Sequence, residues 1–122
     1  MKLASVKNSN PNVKEFTLEE DNLNIGKIQI RIEPTKSTSL PGNFESNIYY
    51  EINPESQGKG YGNKILELGI LEARKLNLKR LTLVHLDTNL ASGKIIQNNG
   101  GKLLETKRDS LGNIHHKHLL EL

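Results

Sequence analysis

Gln57-Gly58-Lys59-Gly60-Tyr61-Gly62 stands between a strand-like run and an amphipathic helix, a strand–loop–helix unit around which the rest of the chain is arranged. Upstream, Asn47 to Ile52 alternates Ile48, Tyr50 and Ile52 with Tyr49 and Glu51, the period of a strand. Asn53-Pro54 ends it, because proline has no N–H to donate to a ladder. Downstream, a helix is expected from about Gly60 to Asn77. Placed at helical spacing, Ile65, Leu66, Gly69, Ile70, Ala73 and Leu76 form one apolar arc, with Lys64, Glu67, Arg74 and Lys75 opposite. Glycines at a helix N-terminus let backbone N–H groups approach a ligand closely, and the unpaired donors and helix dipole there favour anions. Lys59 adds a positive charge at the same place. The alternative is a strand-to-helix turn that uses glycine only for its backbone angles.

The flanking sequence builds a sheet around this unit. Val13 to Glu19 can form a strand, Asp21-Asn22-Leu23-Asn24 is a turn-rich break, and Ile25 to Glu33 alternates cleanly through Ile28, Ile30 and Ile32. Pro34 to Asn43 reads as a loop. Beyond the helix, Arg80 to Leu86 is a compact apolar strand. Asn89 can cap a short helix to about Asn98, ended by a positive φ at Gly100 or Gly101. Lys102 to Lys107 and Ile114 to Leu120 read as a closing hairpin across residues 109–113. The order is β-β-β-α-β-α-β-β, an α+β or mixed α/β sheet.

The chain's 122 residues are expected to form a single domain, 1–122. Without cysteine, disulfides, thiolate zinc sites and thiol nucleophiles are excluded. No run approaches the roughly 20 apolar residues of a membrane span. Met1 to Pro11 has no signal-like apolar core, so the expected location is cytoplasmic. A formal charge of +3 favours anionic ligands mildly. The few aromatics are not interleaved with a basic stripe, so nucleic acid is not an expected partner.

Which phosphate ligand the glycine loop would take is narrowed by its neighbours. Lys59 is followed by Gly60 rather than Ser or Thr, so the magnesium ligand of a nucleotide-hydrolysing loop is missing. A dinucleotide fold needs G-x-G-x-x-G and further βα units, and too little chain follows Asp87 for them. Gln57-x-x-Gly60-x-Gly62, after a strand ending in Asn53-Pro54-Glu55, instead resembles the acetyl-CoA signature of the GNAT superfamily of N-acetyltransferases. Asn89-Leu90-Ala91-Ser92, Ile95-Ile96 and Asn99-Gly100-Gly101 resemble that family's later Asn-x-x-Ser/Ala helix and its glycine ending. The resemblance covers roughly Ile25 to Leu120.

The resemblance implies a GNAT-like fold: a central, mostly antiparallel sheet, two flanking helices and a splayed strand pair. It implies acetyl-CoA as cosubstrate, without metal, and transfer of acetyl to a primary amine, on a small molecule or a peptide, by direct attack. The pyrophosphate would sit on Gln57, Gly58, Lys59, Gly60, Tyr61, Gly62 and Asn63. The pantetheine arm would lie between Asn47–Ile52 and Arg80–Leu86, facing Ile52 and Asn53, with a backbone N–H near Ile52 polarising the thioester carbonyl. Asn89 and Ser92 match positions near the cofactor, and helix capping is their other role. Direct attack needs a base, for which Glu51 is the first candidate and His85 the second. The other reading of Glu51 is a solvated sheet-face charge, and that of His85 a structural residue. Tyr49 shares the face of Glu51 and would line the acceptor pocket or simply pack.

Two departures qualify the resemblance. Many members carry a tyrosine seven residues after the Asn, as proton donor to the thiolate, and here that residue is Ile96. The family's two helices between its first two strands are expected to be reduced or absent, since only residues 1–24 precede Ile25. The acceptor side would then be open, or completed by a second subunit as a homodimer. A catalytically weak or silent CoA-binding or partner-binding module is the rival reading. His115, His116 and His118 lack a supporting carboxylate or cysteine pattern for a metal, and Lys64, Arg74 and Lys75 read as a solvated helix face.

Overall fold

Residues 1–36, 41 and 44–122 are described by the computed structural model. They form β1 (Lys2–Val6), β2 (Val13–Glu20), β3 (Leu23–Lys36), β4 (Glu45–Ile52), a 3-10 turn (Pro54–Ser56), α1 (Tyr61–Lys75), β5 (Arg80–Leu86), α2 (Leu90–Asn98), β6 (Lys102–Arg108) and β7 (Ile114–Glu121). The expected order holds from β2 onward. β1 is an addition, since Leu3 is its one large residue that packs on the core and Ser5 and Lys2 dilute the alternation.

Two antiparallel sheets result, ordered β1-β2-β3-β4 and β5-β7-β6. β2 and β3 close on a two-residue turn, Asp21-Asn22, both at positive φ, which matches the twist of a hairpin. β3 runs through Pro34, where a loop was expected. The β3–β4 register is interrupted between Ile30 and Thr35, so the missing proline N–H falls in a gap of the ladder. The rest of that expected loop, residues 37–40 and 42–43, lies outside the described residues. β1 and β2 are joined by residues 7–12 alone. Asn8 and Asn10 each accept the backbone N–H two residues on, at 2.9 Å, and Asn12 pairs with both backbone groups of Glu33.

α1 buries Ile65, Leu66, Gly69, Ile70 and Ala73, the expected arc, against β3 and its neighbours. Gly69 is required there, because a Cβ would stand 2.5 Å from Ile28 Cδ1. The helix ends earlier than Asn77, which takes φ 61° while Asn77 N–H and Leu78 N–H bond back to Arg74 and Ala73 carbonyls. α2 ends the same way at Gly100, φ 95°, with Gly101 N–H on Ile96.

No ladder joins β4 to β5. Side chains sew their N-terminal ends instead. Asn47, 3% exposed, accepts from Thr82 N–H at 2.9 Å and donates to Arg31 carbonyl at 2.8 Å. Ser46 Oγ reaches Thr82 carbonyl at 3.3 Å, and Thr82 Oγ1 donates to Glu45 carbonyl at 3.2 Å. Beyond this seam the strands have no such bonds, and a cleft opens between the C-terminal end of β4 and α2. One core cluster, including Ile28, Ile30, Ile65, Leu81, Ile96 and Leu120, runs beneath both sheets.

Candidate functional site

The cleft is a cavity of about 830 Å³, walled by the end of β4, the glycine loop, the first turn of α1 and one side of α2. Backbone direction decides what β4 offers to it. Asn53 N–H donates to Ile25 carbonyl at 2.8 Å, so Gly26 and Ile52 are a non-hydrogen-bonded pair. By the alternation of an antiparallel ladder, the backbone groups of Ile52 and Tyr50 point away from β3, toward the unpaired side. Gln57 Nε2 takes Ile52 carbonyl at 3.0 Å. The Ile52 N–H is left facing the cleft.

The three glycines serve different ends. Gly58 and Gly60 have φ of 77° and 82°, and a Cβ on either would meet nothing within 4 Å, so their need is conformational. Gly62 is a contact glycine, where a Cβ would lie 2.6 Å from Ile95 Cδ1 and separate α1 from α2. Gly60 is also the N-cap of α1, with no side-chain cap, so the first N–H groups of the helix are open to a ligand. Lys59 is exposed between the two left-handed glycines and is not part of the cavity wall. Tyr61 anchors the loop by donating to Glu20 at 2.8 Å, and that carboxylate raises its phenol pKa. Asn63 borders the cavity from α1. Asn53 does too, but its N–H and its amide, which donates to Asn24 carbonyl at 2.8 Å, are both committed to β3.

On the opposite wall, Asn89 caps α2 by accepting Ser92 N–H at 3.1 Å. Ser92 Oγ lies 3.0 Å from Tyr50 Oη, and both border the cavity. Burial raises the Tyr50 pKa, while the Ser92 hydrogen bond partly offsets it. Tyr50 was absent from the candidates read from sequence. Its place on the same strand face as Ile48 and Ile52 was visible, but not the hydroxyl across the cleft.

Glu51 borders the cavity, although strand alternation puts its side chain on the other face of β4. Its carboxylate accepts from Tyr49 Oη at 2.7 Å and pairs with Lys27 at 3.6 Å. This interaction is also the main cause of the raised Tyr49 pKa. Tyr49 is itself 45% exposed, with Lys27 Nζ 6.0 Å from the centroid of its ring.

His85 is not in this cavity. It lines a second one, of about 400 Å³, with His116 and His118, on the other side of α2. Glu51 and His85, the first and second candidates for the base, therefore border different cavities. His85 shares a face with the buried Leu81 and Leu83, and α2 crosses over that face. His115 points elsewhere, its Nε2 donating to Asp109 at 2.9 Å. Among the described residues, no group of His, Asp and Glu has an arrangement that could hold a metal.

The profile of the acetyltransferase (GNAT) domain family matches residues 3–102, which span the loop, the cleft and α2. This chain belongs to the GNAT acetyltransferase family. No curated protein sequence matches it significantly. Solved structures share the fold. A GNAT acetyltransferase from Elizabethkingia anophelis with acetyl-CoA bound superposes with TM-score 0.74 at 12% identity, covering 99% of this chain and 97% of that one. An acetyltransferase from Bacillus subtilis in complex with CoA gives 0.75 at 12%, covering 99% and 98%. Spermidine N-acetyltransferase from Vibrio cholerae gives 0.73 at 16%, covering 93% of this chain and 68% of that one.

The two N-terminal helices of the family were expected to be reduced or absent, and residues 7–12 join β1 to β2 without a helix. Among the described residues no helix precedes β4, and none is long and apolar enough to cross a membrane. The outer face of the first sheet is written accordingly in polar residues: Glu15, Gln29 and Arg31 form a hydrogen-bonded row with Gln29 at its centre. Ile96, at the position of the expected tyrosine, is 1% exposed and belongs to the core.

Proposed function

We propose that the chain is an acetyl-CoA-dependent N-acetyltransferase acting on a primary amine, with the cofactor in the larger cleft. The observation that carries this is the pair of donor sets at its two ends: open N–H groups at the Gly58–Gly62 helix start, and the outward-facing Ile52 N–H at the end of β4. The first suits a pyrophosphate, the second a thioester carbonyl. Acetyl-CoA would supply the activated acyl group.

The side chains around Ile52 divide by strand face. Glu51 approaches from the outer, open face, where the amine would arrive, and takes its proton, directly or through water. Tyr50 approaches from the inner face and hands its hydroxyl proton to the departing thiolate, with Ser92 and solvent restoring it. The C–N bond forms as the C–S bond breaks, and the two protons move on opposite sides of the strand. Tyr50 thus replaces a donor that Ile96 cannot be. The polar outer face, free of covering helices, suits an acceptor presented from solvent, whether a small molecule or a peptide end.

Calorimetric titration with acetyl-CoA tests the reading. Saturable binding is expected, and Gly60→Glu should abolish it by combining a strained φ with a carboxylate at the phosphate site. A wild-type protein that binds no acetyl-CoA would sink the proposal. Binding without thiol release across an amine panel would favour the silent module.

A further inference from the structure

The second cavity holds three imidazoles on one face of the β5–β7 pair. His85 and His118 are stacked, with centroids 5.0 Å apart and planes at 23°, and His116 lies 5.3 Å from His85. Each ring has an address. His85 Nδ1 donates to Leu86 carbonyl at 2.8 Å, so its neutral Nε2 is a bare acceptor, buried and without a partner. His118 is 3% exposed and its Nδ1 is likewise unpartnered. His116 Nδ1 is satisfied by Thr106 Oγ1 at 2.9 Å. A shared metal does not explain the orphaned atoms, because nitrogen lone pairs lie in the ring plane and stacked rings do not aim them at one point.

The rings support a helix. Gly93 of α2 lies directly on His85, so that a Cβ there would stand 3.0 Å from Cε1 and 3.3 Å from Nε2. The neighbouring residue, Ser92, carries the bond to Tyr50 across the cofactor cleft. The ring and the clasp are one residue apart on the same turn.

We infer that His85 is a positioning residue: its neutral ring, stacked on His118 beneath Gly93, holds the first turn of α2 and hence Ser92 in place, and protonation of the cluster releases that turn. The influence on acetyl-CoA rests on the proposed function above; the influence on α2 does not. Charged and titratable groups facing the cluster are Asp87 just past the end of β5, Lys94 from α2, and His116 and His118 from β7, while β6 contributes Leu103 and the Thr106 hydroxyl. Asp87 attracts a proton to His85, and His116 repels one. Burial dominates and holds His85 and His118 below the ordinary 6.5. An opened α2 would expose ordinary imidazoles that bind protons more readily. The ordered turn is therefore favoured above about pH 6.5 and loses ground as pH falls through that value toward the lowered ones.

Nuclear magnetic resonance on the ligand-free protein decides the point. Between pH 7.5 and 5, the Ser92 and Gly93 amides are expected to shift with the same midpoint as the His85 and His118 imidazoles. Their exchange, corrected for intrinsic pH dependence, should speed up about fivefold relative to α1 amides. His85→Asn keeps an N–H for Leu86 carbonyl but cannot titrate, and should reduce that drift to less than half. Static Ser92 and Gly93 amides while the imidazoles titrate would overturn the inference, and this arm needs no variant. With acetyl-CoA, the ratio of Kd at pH 5.5 to Kd at pH 7.5 should be about threefold smaller in His85→Asn than in wild type, since the ligand's own ionisation cancels. Equal ratios would also overturn it, whereas absent binding at pH 7.5 would strike the cofactor reading alone.

Discussion

Tyr50 Oη and Ser92 Oγ lie 3.0 Å apart and join the end of β4 to the first turn of α2 across the larger cleft. Each hydroxyl partners the other, and Asn89 holds Ser92 from the backbone side. Tyr50→Phe removes one oxygen and leaves the ring in place. If Tyr50 is the proton donor to the thiolate, kcat should fall about 10²-fold, while acetyl-CoA affinity changes less than about threefold. Steady-state kinetics with calorimetry separates the two. An unchanged kcat would return Tyr50 to a packing role.

Glu51 is tested in the same manner from the other face of the strand. Glu51→Gln keeps an acceptor for Tyr49 and removes the charge that pairs with Lys27. Stability should change by less than about 1 kcal/mol, because the ion pair is half-exposed. Turnover should drop at least about tenfold with acetyl-CoA binding intact. A rate equal to wild type would remove Glu51 as the base.

What could be read without coordinates was local. The arc Ile65-Leu66-Gly69-Ile70-Ala73, the Asn89 cap and the left-handed Gly100 each depend on residues within one or two turns. What escaped was non-local. Pro34 sits inside β3 because the facing strand leaves a gap there, and nothing near Pro34 announces it. β1 needs its pairing with β2 to be a strand at all. The same holds at the site. Gln57, Gly60 and Gly62 announced the loop, but separating His85 from Glu51 required knowing where α2 crosses the second sheet. Tyr50 became a candidate only when Ser92, 42 residues away, came opposite it.

Gly62 makes a prediction that distinguishes packing from ligand approach. In Gly62→Ala the new methyl meets Ile95 Cδ1 at 2.6 Å, between the two helices that wall the cleft. Overpacking of this kind should destabilise by about 1–3 kcal/mol. Ile95→Val deletes the offending Cδ1, so Gly62→Ala/Ile95→Val should recover most of the loss. Thermal unfolding of the single and double variants measures it. Additive losses would mean that Gly62 is needed for something other than room for Ile95.

The β6–β7 hairpin carries an acid-sensitive turn. Asp109 accepts His115 Nε2–H at 2.9 Å and the backbone N–H groups of Leu111 and Asn113, also at 2.9 Å. The bond from His115 foremost, and the turn amides after it, lower the Asp109 pKa below the usual 3.8, against a smaller opposing effect of burial. The unfolded chain then binds this proton more readily than the folded one. The stabilisation is complete above about pH 4 and is lost as pH falls through the lowered value. Denaturant unfolding from pH 5 to pH 2 should show a steeper acid loss in wild type than in Asp109→Asn. Parallel curves would assign the acid loss to other carboxylates.

The seam that lets the cleft exist is also its most exacting structural element. Asn47 satisfies Thr82 N–H and Thr82 Oγ1 with its carbonyl and Arg31 carbonyl with its amide, at 2.9, 3.1 and 2.8 Å. It thereby replaces, with one side chain, the ladder that β4 and β5 do not form. Asn47→Ala would strand a backbone donor and a backbone acceptor at a position only 3% exposed. Each of the two orphaned groups costs about 1–3 kcal/mol, so a loss of about 2–6 kcal/mol is expected. Asn47→Asp keeps the acceptor for Thr82 and loses the donor to Arg31, and should destabilise by a comparable amount, because the carboxylate is buried beside a carbonyl. Urea unfolding measures both. The cleft should loosen as well, since among the described residues the other hydrogen bonds between the start of β4 and β5 are those of Ser46 and the Thr82 hydroxyl. Acetyl-CoA affinity in Asn47→Ala should therefore weaken more than in Glu51→Gln, although Asn47 does not border the cavity. Affinity equal to wild type would show that the splay is held by the core beneath the strands and not by the seam.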